Sequence, residues 1–392
     1  MPVELNALRA HLVDQVRKQG AATDPVVLDA LRTVSRHLFL PDLPPEQAYQ
    51  DEAIVTKRDD GGRPISSSSQ PTIMAIMLDQ LAVGNGHSVL EIGAGTGFNA
   101  ALLAHIVGEH GHVTSVDLDA DTVERAHENL DAAGYRDVVL VTGDGALGYA
   151  DNAPYDRIIA TVGVWDLAPA WHDQLAPDGR LVVPLDLHGV QRSVAFERDG
   201  DHWTSLDAQP CGFMRMRGPF AGPERNYRVS ETVTLNLPED RDVDVPALAE
   251  VLTEAPAVVG TGTTPSVGQL FDGLSLWLAV REPRWCALSE MAGDRTPLLR
   301  DAPLSSPESS ATAGILGDDG VAVLSRTDGE LIVLGYGNDA VADELLRHVL
   351  AWESAGRPGS PGMRIDAYPA GTTAPDGDFV IDKGECRLVL SW

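Results

Sequence analysis

Val89-Leu90-Glu91-Ile92-Gly93-Ala94-Gly95-Thr96-Gly97-Phe98 is the stretch whose reading decides the fold. A short run suited to a buried strand meets glycines at every second position, and a helical pattern starts near Phe98. Glycines let the backbone turn sharply and leave no Cβ between the main chain and a ligand. The spacing is G-x-G-x-G, with Glu91 two residues ahead of it. A dinucleotide fingerprint needs G-x-G-x-x-G, and Phe98 cannot replace its third small residue. No G-K-[ST] follows, which excludes a P-loop. The bland alternative is a tight strand-to-helix turn with no ligand.

Outward from this turn the chain alternates strand and helix patterns. A strand over 113–116 ends at Asp117 and leads to a helix over 120–133. Another over 138–142 ends at Gly143-Asp144-Gly145, a third over 157–162 leads to a helix around 168–175, and 180–184 is a further strand. This order predicts an α/β fold, a Rossmann-like parallel sheet with helices on both faces. Ligands in such sheets lie beyond the carboxyl ends of the strands, where Gly93, Asp117, Asp144 and Thr161 all fall. After residue 185, the runs 192–197 and 202–206 flank Asp199-Gly200 and read as an antiparallel hairpin, with 211–216 as one more strand.

Upstream, residues 4–36 carry two amphipathic helix patterns. A polar loop then leads into Ile65-Ser66-Ser67-Ser68-Ser69-Gln70-Pro71. The serines are expected either to cap the helix that starts near Pro71 or to line a loop at the site. Arg63 in the same loop is a weaker candidate for holding a carboxylate. His37 alone reads as a packed histidine, and Asp119 as a helix cap.

The 392 residues suggest two domains, placed at 1–224 (with 1–80 supplying helices and a substrate loop) and 225–392. The second is expected to be an α+β module for recognition or oligomerisation. It holds a hairpin across Thr327-Asp328-Gly329, a helix capped by Asn338, and late strands at 363–368, 379–381 and 386–392. A serine-bearing loop over 303–312 is low in order signals. The net charge of −29 repels nucleic-acid backbones and gives solubility. No apolar run is long enough to span a bilayer. Cys211, Cys286 and Cys386 have neither metal spacing nor a disulfide pattern, so no metal is expected and the chain reads as cytoplasmic and reduced.

An acid followed by three alternating glycines between strand and helix is similar to the opening of S-adenosylmethionine (AdoMet) methyltransferases. AdoMet is a sulfonium cation carrying a ribose diol and an adenine. A carboxylate at the end of the second strand, Asp117, can accept both ribose hydroxyls. Asp144 suits the adenine amine, with Gly145 allowing close approach. The candidate cofactor-binding set is Glu91, Gly93, Ala94, Gly95, Gly97, Asp117, Leu118, Asp144, Gly145 and Thr161. The bland alternative for Asp117 and Asp144 is a pair of solvated loop acids. A carboxylate accepting the methyl is already ionised at neutral pH, its reference pKa being about 4. It needs polar groups that align it and no strong general base. Ser69, Ser68 and Ser66 are the catalytic candidates on that ground.

The region from about 8 to 220 resembles the protein-L-isoaspartate O-methyltransferase family. The resemblance is carried by Leu12-Val13-Asp14-Gln15-Val16-Arg17, Val34-Ser35-Arg36-His37-Leu38-Phe39-Leu40-Pro41, Ala48-Tyr49-x-Asp51-x-Ala53-Ile54, Ser69-Gln70-Pro71, Gly143-Asp144-Gly145, Tyr155-Asp156-Arg157-Ile158-Ile159 and 174–184. It implies an AdoMet-dependent carboxyl O-methyltransferase with S-adenosylhomocysteine as product and Ser69 beside the methylated carboxylate. In that family the ester loses methanol to a neighbouring amide nitrogen, and a succinimide results. The extra serines between Ile65 and Ser69, and the C-terminal module that the repair enzymes are expected to lack, resemble divergent homologues of lanthipeptide and graspetide biosynthesis. Those methylate an aspartate side chain in a cyclised ribosomal peptide, giving aspartimide or isoaspartate. A peptide substrate of that kind is the leading expectation and isoaspartate repair the alternative. Nucleic acid and membrane are not expected as partners, and the oligomeric state is left open.

Overall fold

In a computed structural model of the chain, describing residues 2–223, 225–291, 296, 298–305 and 309–392, the glycine stretch follows the strand third from one edge of a mixed ten-stranded sheet. The first nine strands along the chain are β1 Ile54–Arg58, β2 Pro64–Ser68, β3 Ser88–Ile92, β4 His112–Asp117, β5 Val139–Thr142, β6 Tyr155–Ala160, β7 Leu175–Leu187, β8 Val190–Asp199 and β9 His202–Cys211. β1 and β2 form a separate antiparallel pair. β5, β4, β3, β6 and β7 are parallel in that order. β3 lies between β4 and β6, with Leu90 opposite Thr114 on one side and Ile158 on the other. Its residues Val89, Leu90 and Ile92 are buried, as a parallel strand covered on both faces requires.

The helix Phe98–Val107 follows the glycine turn and is buried along most of its length, Phe98, Ala100, Ala101, Leu102, Leu103, Ile106 and Val107 included. The helix Ala120–Ala133 buries Ala126 and Leu130 and ends at Gly134, whose φ of 89° supplies a left-handed cap. The N-terminal helices Pro2–Lys18 and Pro25–Thr33 pack with Pro71–Leu81 and Phe98–Val107 into one core that includes Val16, Leu28, Leu78 and Leu103. Each such buried side chain contributes about 1.5–3 kcal/mol. The expected hairpin after residue 185 is β8 and β9, whereas 211–216 supplies no strand beyond the end of β9. That segment instead pairs through Gly163 N with Met214 O at 2.8 Å and Met216 N with Gly163 O at 2.8 Å.

A second unit comprises 222–363 together with 187–190. Its strands are β10 Arg225–Arg228, β11 Val233–Leu237, β12 Ala257–Gly260, β13 Trp285–Met291, β14 Leu304–Ser305, β15 Ser309–Leu316, β16 Gly320–Thr327 and β17 Glu330–Gly337. They form an antiparallel sheet in the order β10-β11-β13-β15-β16-β17-β12, with β14 on β15. The helix Asp339–Ser354, capped by the Asn338 side chain, buries Val341, Leu345, Val349 and Trp352. The expected loop at 303–312 therefore holds strand ends, and its residues 306–308 lie outside the described residues.

The last strands, β18 Arg364–Pro369, β19 Phe379–Asp382 and β20 Cys386–Ser391, return to the first unit. β18 pairs with β9, Ala367 opposite Trp203, and β20 and β19 complete that edge. This corrects the expected 225–392 module: the last 29 residues, 364–392, close the sheet that holds the glycine turn. The expected boundary residue 224 lies outside the described residues. The three cysteines are free and buried. Among the described residues no helix is long and apolar enough to cross a membrane.

Candidate active site

The glycine turn is positioned from below and from both sides. Gly93, Gly95 and Gly97 have φ of 101°, 53° and 84°, which only glycine adopts without strain. A Cβ on Gly93 would stand 2.8 Å from Thr161 Oγ1, and one on Gly97 3.2 Å from Ala126 O. Thr161 Oγ1 donates to Gly93 O at 2.7 Å, and Asn129 Nδ2 to Thr96 O at 2.9 Å. Thr161 is thus a brace at the end of β6. Ala94 is buried within the turn.

Glu91 lies beneath the turn and is fully buried. Asn99 Nδ2 donates to its Oε1 at 2.7 Å and the Ser115 hydroxyl to its Oε2 at 2.5 Å. It therefore ties β3 to β4 and to the following helix, which corrects its place among ligand-contacting candidates. Burial pushes its carboxyl up to about 7, against the pull of the Ser115 and Asn99 hydrogen bonds.

Asp117 ends β4 half-buried. Its Oδ2 accepts from Gly95 N at 3.0 Å and its Oδ1 from Asp119 N at 3.2 Å. Two main-chain donors fix the carboxylate at the lip of the turn, and each oxygen retains a lone pair for a further donor. Leu118 beside it is 43% exposed. Asp144 follows β5 and accepts from Ala146 N at 2.9 Å. A Cβ on Gly145 would collide with Ile92 Cγ2 and stand 3.2 Å from Met216 Cε, so the turn after β5 reaches the end of β3 only because that residue is glycine. Trp171 Nε1 donates to Gly145 O at 2.9 Å. Gly93, Gly95, Asp117 and Asp144 are brought to the ends of three neighbouring strands, as expected.

The serines depart from expectation. Ser66, Ser67 and Ser68 lie in β2, paired with β1 through Lys57↔Ser66, Val55↔Ser67 and Ile54↔Ser68, with register shifts at Thr56–Arg58. They form a strand rather than a loop, because the β-branched Ile54, Val55 and Thr56 opposite them supply a pairing partner. None caps the helix Pro71–Leu81: Gln70 occupies that position without a capping bond. Gln70 Nε2 instead donates to Asp51 O at 3.0 Å, and Asp51 accepts from Thr72 N at 2.9 Å. Ser69 sits between the strand and this anchor. Thr56 Oγ1 donates to Ser66 Oγ at 3.3 Å. Ser68 is 3% exposed and its hydroxyl has no partner among the described residues. Ser67 O lies 3.6 Å from the Cβ position of Gly95, which brings the serine strand onto the glycine turn. Arg63, by contrast, is at the exposed hairpin tip, paired with Asp59 at 2.8 Å.

Asp119 is not the expected cap; its side chain makes no capping bond and receives Lys57 Nζ and Arg217 Nη2, both at 2.7 Å. No sequence spacing links 57, 119 and 217, so this group was not legible beforehand. His37 is a packed histidine, its Nδ1 3.0 Å from Tyr49 Oη, with burial lowering its pKa. In the second unit Glu282, Glu344 and His348 come together, but Arg284 donates to both carboxylates and takes the place a cation would need.

Residues 7–216 match the family described as Protein-L-isoaspartate(D-aspartate) O-methyltransferase (PCMT). A protein-L-isoaspartate O-methyltransferase of Methanothrix thermoacetophila is 40% identical over 159 residues, 41% of this chain and 73% of that protein. Protein-L-isoaspartate O-methyltransferase 2 of Archaeoglobus fulgidus is 39% identical over 225 residues, 56% of this chain and 97% of that protein. A solved structure titled protein-L-isoaspartate O-methyltransferase covers 98% of this chain and 99% of its own, with a TM-score of 0.53 and 24% identity. A fold that spans nearly the whole of this chain therefore accompanies that title elsewhere.

Proposed function

Because this chain belongs to the protein-L-isoaspartate(D-aspartate) O-methyltransferase family, an AdoMet-dependent methyltransferase family, we propose that it esterifies the α-carboxylate of L-isoaspartyl residues in peptides and proteins. The observation that carries this reading is the junction of two pieces at Gly95. Asp117 accepts from its N–H, and the serine strand lies against the same residue.

The site fits AdoMet by its own chemistry. The glycine turn presents main chain with no Cβ in the way, and Asp117 retains acceptor capacity suited to a ribose diol. Asp144, beside Gly145, suits the adenine amine, and the exposed Leu118 offers an apolar surface to its ring. Bound there, AdoMet supplies an electrophilic methyl. The chain's own part is to hold the substrate carboxylate still and keep water away from it. Ser69, with Ser66 on the strand that leads to it, supplies hydroxyl donors for that carboxylate, whereas the Ser68 hydroxyl is buried. The product ester then loses methanol as the next amide nitrogen of the substrate closes on the carbonyl, a step that needs no residue of this chain.

The serines ahead of Ser69 support a second reading of the substrate, an aspartyl side chain in a cyclised ribosomally made peptide, since Ser66–Ser68 form the strand that leads to it. One experiment separates the two. AdoMet is offered with an isoaspartyl peptide, its aspartyl twin, and a cyclised aspartate-bearing precursor. Turnover of the isoaspartyl peptide is expected; turnover confined to the cyclised precursor would replace the repair reading with the second one. The second unit is read as an accessory to substrate recognition.

A further inference from the structure

Asp119 begins the helix Ala120–Ala133, where an aspartate ordinarily accepts a main-chain N–H, yet it makes no such bond. One of its oxygens, Oδ2, takes both Lys57 Nζ and Arg217 Nη2 at 2.7 Å. Lys57 also reaches Asp121 Oδ1 at 2.7 Å. The two cations come from opposite walls of the site. Lys57 is on β1, hydrogen-bonded to β2, and Ser67 of β2 lies against Gly95 at the end of β3. Arg217 follows the segment 214–216 that pairs with Gly163, and Met216 Cε lies 3.2 Å from the Cβ position of Gly145 at the end of β5. β4, which ends at Asp117 two residues before Asp119, runs between β3 and β5. The shared carboxylate is thus the midpoint between the serine wall and the adenine wall.

We propose that Asp119 is a positioning residue that clasps the two walls of the AdoMet site, so that nucleotide leaves only when the Lys57–Asp119–Arg217 contact opens. The inference rests on the cofactor reading given above. An isolated surface ion pair contributes little and is screened by salt. Here one oxygen with 18% side-chain exposure takes two cations, with Lys57 at 29% and Arg217 at 41%. Arg217 first, then Lys57, hold the Asp119 carboxyl below the usual carboxylate range, so it stays charged wherever the enzyme works. The clasp therefore responds to ionic strength and not to pH near neutrality.

The test is the dissociation rate of S-adenosylhomocysteine from the full chain, followed by stopped flow at low and high salt. The wild type should release it faster as salt rises. Asp119→Asn should release it roughly tenfold faster at low salt and lose the salt dependence, each pair being worth up to about a factor of five. Lys57→Gln and Arg217→Gln should each give a smaller rise, and adding Lys57→Gln to Asp119→Asn should add nothing. Lys57 is partly exposed on the hairpin, so its variant keeps the test open if Asp119→Asn folds poorly. Wild-type rates in all three variants, or a lower unfolding temperature with an unchanged salt slope, would overturn the clasp. Absence of binding by the wild type would instead overturn the cofactor reading itself, so the two failures are distinguishable.

Discussion

The two walls of the site are built from different backbone. The proposed cofactor wall is the carboxyl end of β3, β4 and β5, parallel strands of one sheet with β5 at its edge, and its groups are fixed by main-chain bonds: Gly95 N to Asp117, Ala146 N to Asp144. The proposed substrate wall is a two-stranded hairpin with two register shifts, secured by the Lys57–Asp119 pair and by Asp51 behind Gln70. The lesson is about tolerance. A wall made of main chain admits no change of geometry, whereas a hairpin held by side chains can be lengthened by serines while the cofactor site stays as it is. Single substitutions on the cofactor wall should therefore cost more than those on the serine strand.

Four substitutions probe that contrast, beginning with the most damaging. Gly93→Val places a branched side chain at a φ of 101° against Thr161. It should destabilise the chain by about 3 kcal/mol in thermal or urea unfolding and abolish AdoMet binding. Asp117→Ala should weaken S-adenosylhomocysteine roughly tenfold to a hundredfold by calorimetry, the range of one or two hydrogen bonds to a charged group, with a lower unfolding temperature because Gly95 N and Asp119 N lose their acceptor. Ser69→Ala should slow methyl transfer by about tenfold at saturating AdoMet while leaving nucleotide affinity unchanged. If it slows nothing, the carboxylate is held elsewhere on the strand. Ser68→Ala removes a buried hydroxyl without a partner among the described residues, and should leave stability within about 0.5 kcal/mol or raise it slightly.

A fifth prediction concerns pH. The Glu91 carboxyl is raised from 4.5 to about 7 in the folded chain. The folded state therefore binds a proton that the unfolded state releases between those values. Stability tied to that proton is fully present below about 4.5 and is lost as pH rises through about 7. Glu91→Gln has no proton to lose. Asn99 can still donate to its oxygen, and the Ser115 hydroxyl can turn to accept from its amide. The unfolding temperature of Glu91→Gln relative to wild type should climb across that pH window and level off above it. A flat difference would mean that Glu91 titrates as an ordinary carboxylate.

The contrast between the walls also explains what could be read from the sequence. The parallel half was legible because strand, turn and helix follow one another locally, and the helices 98–107 and 120–133 fall where their periodicity put them. Glu91 was misplaced because an acid before a glycine turn looks the same whether it faces the ligand or the core; only Asn99 and Ser115 decide. The serine run was ambiguous because serine suits caps, loops and strands alike, and what made it a strand was Ile54–Thr56, ten or more residues upstream. The last strands were found, but not their destination. The apolar run Leu388–Leu390 tells that the strand is covered, not that the edge waiting for β18 is β9. The site residues that came from distant segments, Lys57 and Arg217 on Asp119, left no trace in spacing.

The most direct test of the central claim is the initial rate of methyl transfer from AdoMet to an isoaspartyl peptide, measured beside the same peptide carrying aspartate and beside the Asp117→Ala variant. Transfer to the isoaspartyl peptide, with none to its twin and a sharp loss in the variant, is the result expected. Equal transfer to both peptides, or none to either while S-adenosylhomocysteine binds normally, would contradict the assignment of the isoaspartyl carboxylate to the serine wall.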